Sequence, residues 1–141
     1  MPDRARIVAE ARAWLGTPYH HAASVKGVGC DCLGLLAGIW RALYGALPEA
    51  IPPYTPDWGE VDPAEPLLGA AFRLLRPAEA IAPGDVIVFR WRDGLAAKHV
   101  AVATDPGRMI HAYNGAGVVE VDLAPAWRHR LAGVFSFPGV A

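Results

Sequence analysis

The sequence predicts an α+β fold, with helices in the N-terminal part of the chain and an antiparallel sheet in the C-terminal part. Apolar residues recur at helical spacing up to residue 45, whereas after residue 83 short apolar and β-branched runs alternate with turn residues. The chain has 141 residues, of which 53% are hydrophobic. This length suits one domain with a core that needs no disulfide or metal. We therefore expect a single domain over residues 1–141.

Two helices are predicted before the sheet. The first covers about residues 4–15, behind Asp3 as a cap, with Gly16 and Pro18 at its end. Residues 16–31 are rich in glycine and proline and predict an ordered loop. The second helix begins at Cys32, because Asp31 is a natural N-cap for the apolar stripe that ends at Leu43. Gly45 follows this stripe and ends the helix.

Residues 46–83 are dense in proline and predict an insertion that covers part of the domain, with one short helical run at 67–75. The chain then predicts an antiparallel meander of about five strands. The apolar runs that suggest these strands are residues 85–91, 98–103, 109–113, 118–121 and 132–137.

Charge and hydropathy exclude several classes of function. The 13 Lys and Arg residues are scattered and balanced by 14 Asp and Glu residues, so nucleic acid and anionic membranes are not expected partners. The longest strongly apolar stretch, 32–40, is too short to span a bilayer. The charged start, residues 1–6, does not resemble a secretory signal, so synthesis in the cytoplasm without a signal peptide is expected.

The two cysteines, Cys30 and Cys32, are separated by one residue. A disulfide between them would close a strained ring. Three roles remain for the two cysteines: two ligands of a metal site, a redox pair, or one reactive thiol beside a cysteine without a chemical role. Cys32 lies at a predicted helix start, where unpaired N–H groups favour the thiolate. Cys30 has no such activating neighbour. Redox pairs usually have two intervening residues, and a one-residue spacer crowds a zinc site built with His99 and His111. We expect no metal and no cofactor.

Two histidines in the strand region supply the base that a thiol nucleophile needs. His99 and His111 flank the turn at 105–107 and are twelve residues apart. In a hairpin with an odd loop, this spacing places both side chains on one face of the sheet. Ala101 and Ala103 lie on the same face and predict a groove beside the imidazole. His20, His21 and His129 are expected to be solvated or structural.

Five short motifs resemble the NlpC-type cell-wall cysteine peptidases. They are Pro18-Tyr19, Asp31-Cys32-Leu33-Gly34-Leu35, Pro83-Gly84-Asp85-Val86, Lys98-His99-Val100 and Ile110-His111-Ala112. The resemblance implies a papain-like fold and cleavage of peptidoglycan stem peptides, commonly between D-glutamate and meso-diaminopimelate. Residues 53–58 and 89–92 further resemble the branch found in phage tails and gene transfer agents.

The resemblance also implies a role for each site residue. Cys32 becomes the nucleophile, His99 its base, His111 the residue that orients His99, and Tyr19 a donor to the oxyanion, while Asp31 caps the helix beside the nucleophile. Two positions depart from the family pattern: Leu33 replaces a serine, and His20-His21-Ala22 replaces Gly-Gly. The second departure affects the expected substrate groove.

Three functions remain as expectations. The first is a stem-peptide endopeptidase that helps a phage-like tail breach the wall, acting in the periplasm or cell wall with tail proteins as partners. The second is an amidase or acyl transferase with the same triad. The third is a tail-tip module that binds the wall without catalysis.

Overall fold

The computed structural model describes residues 2–51, 54 and 64–140. Its first helix, α1 (Arg4–Arg12), begins where Asp3 accepts a hydrogen bond from the N–H of Arg6 at 2.7 Å. The helix ends earlier than the predicted residue 15. The N–H groups of Trp14 and Leu15 bond to the carbonyl groups three residues back, which tightens the chain into a turn before Gly16.

The predicted loop at 16–31 contains a small hairpin of two strands, β1 (Ser24–Val25) and β2 (Gly29–Cys30). The next helix, α2 (Cys32–Tyr44), begins at the predicted residue and ends at Gly45, whose φ of +89° is unfavourable for other residues. The hairpin therefore leads directly into the start of α2.

The insertion at 46–83 contributes a helix and one strand. Helix α3 (Pro66–Leu74) matches the predicted helical run and starts on a proline, which lacks the N–H that a first turn leaves unpaired. Strand β3 (Arg76–Pro77) follows it. Residues 52, 53, 55–63, 1 and 141 lie outside the described residues, and with them most of the motif predicted at 53–58.

The C-terminal part forms one antiparallel sheet, as predicted, but β3 makes it six-stranded. Its other strands are β4 (Val86–Phe89), β5 (His99–Asp105), β6 (Arg108–Tyr113), β7 (Gly117–Asp122) and β8 (Leu131–Ser136), and a short helix, α4 (Pro125–Arg128), lies between β7 and β8. The strand order in the sheet is β3-β8-β4-β5-β6-β7. The α+β class with helices on an antiparallel sheet is confirmed.

Both faces of the sheet are buried, which explains why the central strands are apolar at successive positions. One face packs against α2 through Val88, Val100, Val102 and Ile110. The other face is covered by residues after β7. They include Leu123 and, on α4, Trp127. Among the helices in the described part of the chain, none is long and apolar enough to cross a membrane.

A buried carboxylate ties α1 to the sheet. Asp85, only 1% exposed, accepts hydrogen bonds from the Arg4 guanidinium at 2.7 Å and from the Ser136 hydroxyl at 2.9 Å. It also accepts the N–H of Ala82, within a turn that Gly84 permits by its φ of +85°. This network fixes α1 against the start of β4 and the end of β8.

Candidate active site

The start of α2 is held in place by Asp31. One carboxylate oxygen accepts the N–H of Gly34 at 2.8 Å, and the other accepts the N–H of Ala22 at 2.7 Å. At Gly34 a Cβ atom would lie 1.8 Å from the carbonyl oxygen of Ala23. The Asp-Cys-x-Gly sequence therefore lets the hairpin backbone pass directly over the first turn, which fixes the backbone of Cys32.

The Cys32 thiol is half-buried beside the start of β5, with its Sγ 3.9 Å from the carbonyl oxygen of Lys98. Burial raises the pKa of Cys32 to about 12, and Asp31 adds to that effect. The backbone N–H of Val100 on β5 lowers the pKa, and so do those of Leu33 and Cys32 at the helix start, as the sequence predicts, but burial is the larger influence. Burial therefore favours the protonated thiol and opposes the thiolate that the helix start favours.

His99 and His111 lie on adjacent strands and share one face of the sheet. Because Val102 pairs with Ile110, the two histidines are diagonal neighbours, and His99 Nε2 lies 2.8 Å from His111 Nδ1. Each is only 2% exposed. Ala101 and Ala103 are buried against Phe89, Met109 and Leu123, so these two alanines do not line the groove that was expected beside the imidazole.

Both histidines are neutral at neutral pH. Burial lowers the pKa of His99 to about 3, with a smaller contribution from the charge of His111. Burial likewise lowers the pKa of His111 to about 4. A neutral imidazole carries one proton, so one ring donates to the other across the 2.8 Å contact. If His99 donates from Nε2, its Nδ1 has a lone pair to accept a proton.

Cys32, His99 and Tyr19 line one cavity of about 400 Å³. Burial raises the pKa of Tyr19 to about 12, with further contributions from Cys32, Asp31 and Cys30, so its phenol stays a hydrogen-bond donor. Trp91 stacks on the His99 ring at 4.9 Å between ring centroids. The full lining comprises Tyr19, His21, Asp31, Cys32, Leu33, Tyr54, Trp91, Lys98, His99, Ala112, Tyr113 and Asn114.

Cys30 is separated from this cavity. Its side chain is fully buried in the core, and burial raises its pKa to about 11. Its backbone is fixed by hydrogen bonds to Pro18 and His20. Both cysteines are free thiols. In the part of the chain that the structure describes, no three His, Cys, Asp or Glu side chains are grouped so as to hold a metal ion.

His21 and Tyr54 belong to the cavity, although the sequence reasoning placed His21 among solvated or structural residues. The Tyr54 hydroxyl donates to Asp31, and the Tyr54 carbonyl accepts a hydrogen bond from His21 Nε2 at 2.8 Å. The two rings meet edge to face at 5.0 Å. The only signal in the sequence was the replacement of Gly-Gly by His20-His21-Ala22.

Solved structures resemble this chain over nearly its whole length. The NlpC/p60 domain of the peptidoglycan hydrolase SagA is 25% identical with a TM-score of 0.65, and the match covers 95% of this chain and 98% of that one. A NlpC/P60 family protein from Bacillus cereus ATCC 10987 is 24% identical with a TM-score of 0.67, over 94% of this chain and 39% of that one. NlpC2 from Trichomonas vaginalis is 22% identical with a TM-score of 0.66, over 95% and 46%.

This chain thus spans about two fifths of the Bacillus cereus protein, which contains further regions without a counterpart here. No curated protein sequence is significantly similar to this chain. The sequence profile of the NlpC/P60 family matches residues 16–136, which include the start of α2, His99, His111 and all six strands of the large sheet. The resemblance stated from the motifs is confirmed, and the chain belongs to the NlpC/P60 family.

Proposed function

We propose that this protein is a cysteine peptidase that hydrolyses peptidoglycan. The observation that carries the proposal is the hydrogen-bonded pair of His99 and His111, placed where His99 and the Cys32 thiol line the same cavity. This is the order of groups that thiol hydrolysis needs: a nucleophile, a base and a residue that orients the base. Family membership and the likeness to the SagA domain, a peptidoglycan hydrolase, support the choice of substrate.

The first half of the reaction forms a thioester. Cys32 Sγ attacks the amide carbonyl carbon while its proton passes to His99 Nδ1, so the sulfur bonds to carbon without a stable thiolate being required. The Tyr19 hydroxyl and the N–H of Cys32 donate to the oxyanion. His99 then gives the proton to the leaving amine, and the C–N bond breaks.

The second half releases the acyl group. His99 takes a proton from water, the resulting hydroxide attacks the thioester, and the C–S bond breaks as the proton returns to Cys32. His111 keeps the His99 ring in the tautomer with Nδ1 facing the reaction, by accepting the proton of Nε2. No step in this sequence uses a metal or an organic cofactor.

The bond we propose is the γ-D-glutamyl–meso-diaminopimelate bond of the stem peptide, which the family resemblance implies. An amidase or acyl transferase would use the same three groups on a different bond. The three outcomes differ in product, because an endopeptidase exposes a new amine on diaminopimelate, an amidase separates the lactyl group from the peptide, and a transferase links two fragments.

The decisive experiment is mass spectrometry of muropeptides after treatment of purified peptidoglycan with wild-type protein and with Cys32→Ala. The wild type should release fragments cut within the stem peptide, and Cys32→Ala should lower the rate by at least about a thousandfold because no acyl-enzyme forms. Cys30→Ser is the matched control, since it changes the buried thiol outside the cavity and should keep most of the activity per folded molecule.

A Cys32→Ala protein as active as wild type, or a Cys30→Ser protein that is folded but inactive, would falsify this assignment of the nucleophile. A wild type that binds peptidoglycan, without cutting it, and whose binding survives alkylation of its thiols would instead support the wall-binding module. Circular dichroism on each variant separates loss of activity from loss of fold.

We also propose delivery to the wall as part of a phage-like tail, with tail proteins as partners. The support is the resemblance of residues 53–58 and 89–92 to that branch of the family. Proteomic analysis of purified particles tests it. The proposal fails if the protein is never found in particles and particles without it penetrate the wall normally.

A further inference from the structure

Trp127 on the short helix α4 packs against both histidines of the proposed triad. Its ring is nearly parallel to that of His99, with 5.6 Å between centroids and 27° between planes. It meets His111 edge to face at 5.1 Å and 88°. One aromatic side chain therefore contacts both partners of the 2.8 Å hydrogen bond.

Trp127 packs on the pair from outside the cavity that His99 lines. It does not belong to the residues that line the 400 Å³ cavity, whereas Trp91, which also stacks on His99, does. Trp127 packs instead against the apolar residues on the face of the sheet opposite α2, where its ring lies 5.2 Å from that of Phe89 between centroids. A change at Trp127 therefore reaches the histidines without removing a surface that substrate contacts.

The short helix that carries Trp127 is firmly anchored. The Arg128 guanidinium donates to the carbonyl oxygens of Leu123 and Pro106, each at 3.0 Å, which links α4 to the turn between β5 and β6. Arg130 lies over the Trp127 ring at 5.6 Å, a cation–π distance. The indole is thus held on the same hairpin that carries the two histidines.

We propose that Trp127 is a positioning residue of the hydrolase: it fixes the plane of the His99 ring and keeps water away from the hydrogen bond between His99 and His111. The proposal rests on the proposed function, because it takes His99 as the base. A stacked indole restricts rotation of the imidazole about its χ2 angle, which has a broad preference on its own. If the His99 ring turned out of this plane, its Nδ1 would no longer point towards the Cys32 thiol.

Exclusion of water also keeps the pair neutral, since burial is the main cause of the lowered pKa of both histidines. Among the residues that the structure describes, the other titratable or charged groups near the pair lie in the cavity lining or over the indole. The cavity holds Tyr19, His21, Asp31, Cys32, Tyr54, Lys98 and Tyr113, and Arg130 lies over the indole. Trp127→Leu changes none of these charges, so a change in histidine titration after that substitution reports on solvent access.

The test uses Trp127→Leu and Trp127→Phe in the full chain. Imidazole signals are followed by NMR against pH, with His99→Gln and His111→Gln used to assign them. In Trp127→Leu the titrations of His99 and His111 should move upward by about one pH unit or more, towards the ordinary histidine value. Trp127→Phe keeps a ring against the pair and should titrate close to wild type.

Kinetics provide the second readout. Trp127→Leu should lower kcat about tenfold or more while KM changes less than about twofold, because the groove surface is intact. Trp40→Leu is the control, since Trp40 packs on Tyr44 and Phe137. It should lower thermal stability without moving the histidine titrations or kcat.

The proposal is overturned if a folded Trp127→Leu protein keeps wild-type titrations and kcat, or if only its KM or stability changes. The NMR titration needs no substrate and no active nucleophile. An inactive wild type would therefore contradict the proposed function while the effect of Trp127 on the two histidines is still read directly. An active wild type with unmoved titrations in Trp127→Leu contradicts the positioning role alone.

Discussion

Burial, rather than the charge of the helix start, controls the protonation of the proposed nucleophile and base. Burial raises the pKa of Cys32 and lowers that of His99, so the resting pair is a thiol beside a neutral imidazole. A proton must then move from sulfur to nitrogen as the carbonyl is attacked. The direction of the hydrogen bond between His99 and His111 decides whether His99 has a lone pair available for that proton.

Donation of the His99 Nε2 proton to His111 gives a prediction for substitutions of His111. Gln at this position retains a carbonyl oxygen that accepts the Nε2 proton of His99, so His111→Gln should keep kcat within about tenfold of wild type. His111→Leu leaves that buried N–H without an acceptor and frees the other tautomer, and should lower kcat on the order of a hundredfold or more. Steady-state kinetics on a soluble stem peptide measure both. Equal losses in the two variants would contradict the orienting role.

At the scale of elements, patterns with a clear period were predictable. The start of α2 followed from a cap and an apolar stripe, and the face shared by His99 and His111 followed from the parity of their spacing. The β1–β2 hairpin and α4 were missed, because strands of two residues and a helix of four have no period to detect. The contact between His21 and Tyr54 joins residues 33 apart, one of them in the proline-rich insertion, which local pattern cannot foresee.

Replacement of a helical glycine by alanine should have opposite effects on stability at Gly34, where the hairpin meets α2, and at Gly69 on α3. Gly34→Ala forces apart the first turn of α2 and the Ala23 carbonyl, because the new Cβ would lie 1.8 Å from that oxygen. It should cost about 2 kcal/mol or more of unfolding free energy and disturb the Cys32 backbone. Gly69→Ala on α3 meets no atom within 4 Å and should add about 0.5–1 kcal/mol.

Urea unfolding followed by circular dichroism measures both changes, with a peptide assay alongside. The two substitutions add the same methyl group to a helix, so the comparison isolates the close approach at Gly34 from helix propensity. A Gly34→Ala protein as stable and active as wild type would mean that the hairpin does not constrain the start of α2.

For the whole molecule, the buried histidines link folding to pH. Each has a lowered pKa in the folded state, so between the folded value and the unfolded value of about 6.5 the unfolded chain binds more protons. The stability that comes from keeping His99 and His111 neutral is therefore fully present above about pH 6.5 and is lost as the pH falls below it. Burial of the two histidines of the proposed triad thus lowers the stability of the fold in acid.

The pH range from about 6.5 down to 5 isolates this effect from the acidic groups. Glu65 and Glu120 also have lowered pKa values, Glu65 through the N–H of Ala97 and then Arg90, and Glu120 mainly through Arg12, but their contribution is lost only below about pH 4.5. In that range the unfolding free energy of the wild type should fall by up to about 1.4 kcal/mol per pH unit for each histidine. His111→Gln removes one titrating group and should make the fall shallower.

Urea unfolding at intervals of half a pH unit measures both slopes. His129→Gln is the matched control for the change of side chain, because His129 is exposed and lies outside the buried pair. A wild-type stability that is flat from pH 7 to 5 would mean that the two imidazoles take up protons in the folded state. That result would contradict a neutral His99–His111 pair and, with it, the proton path from Cys32 to His99.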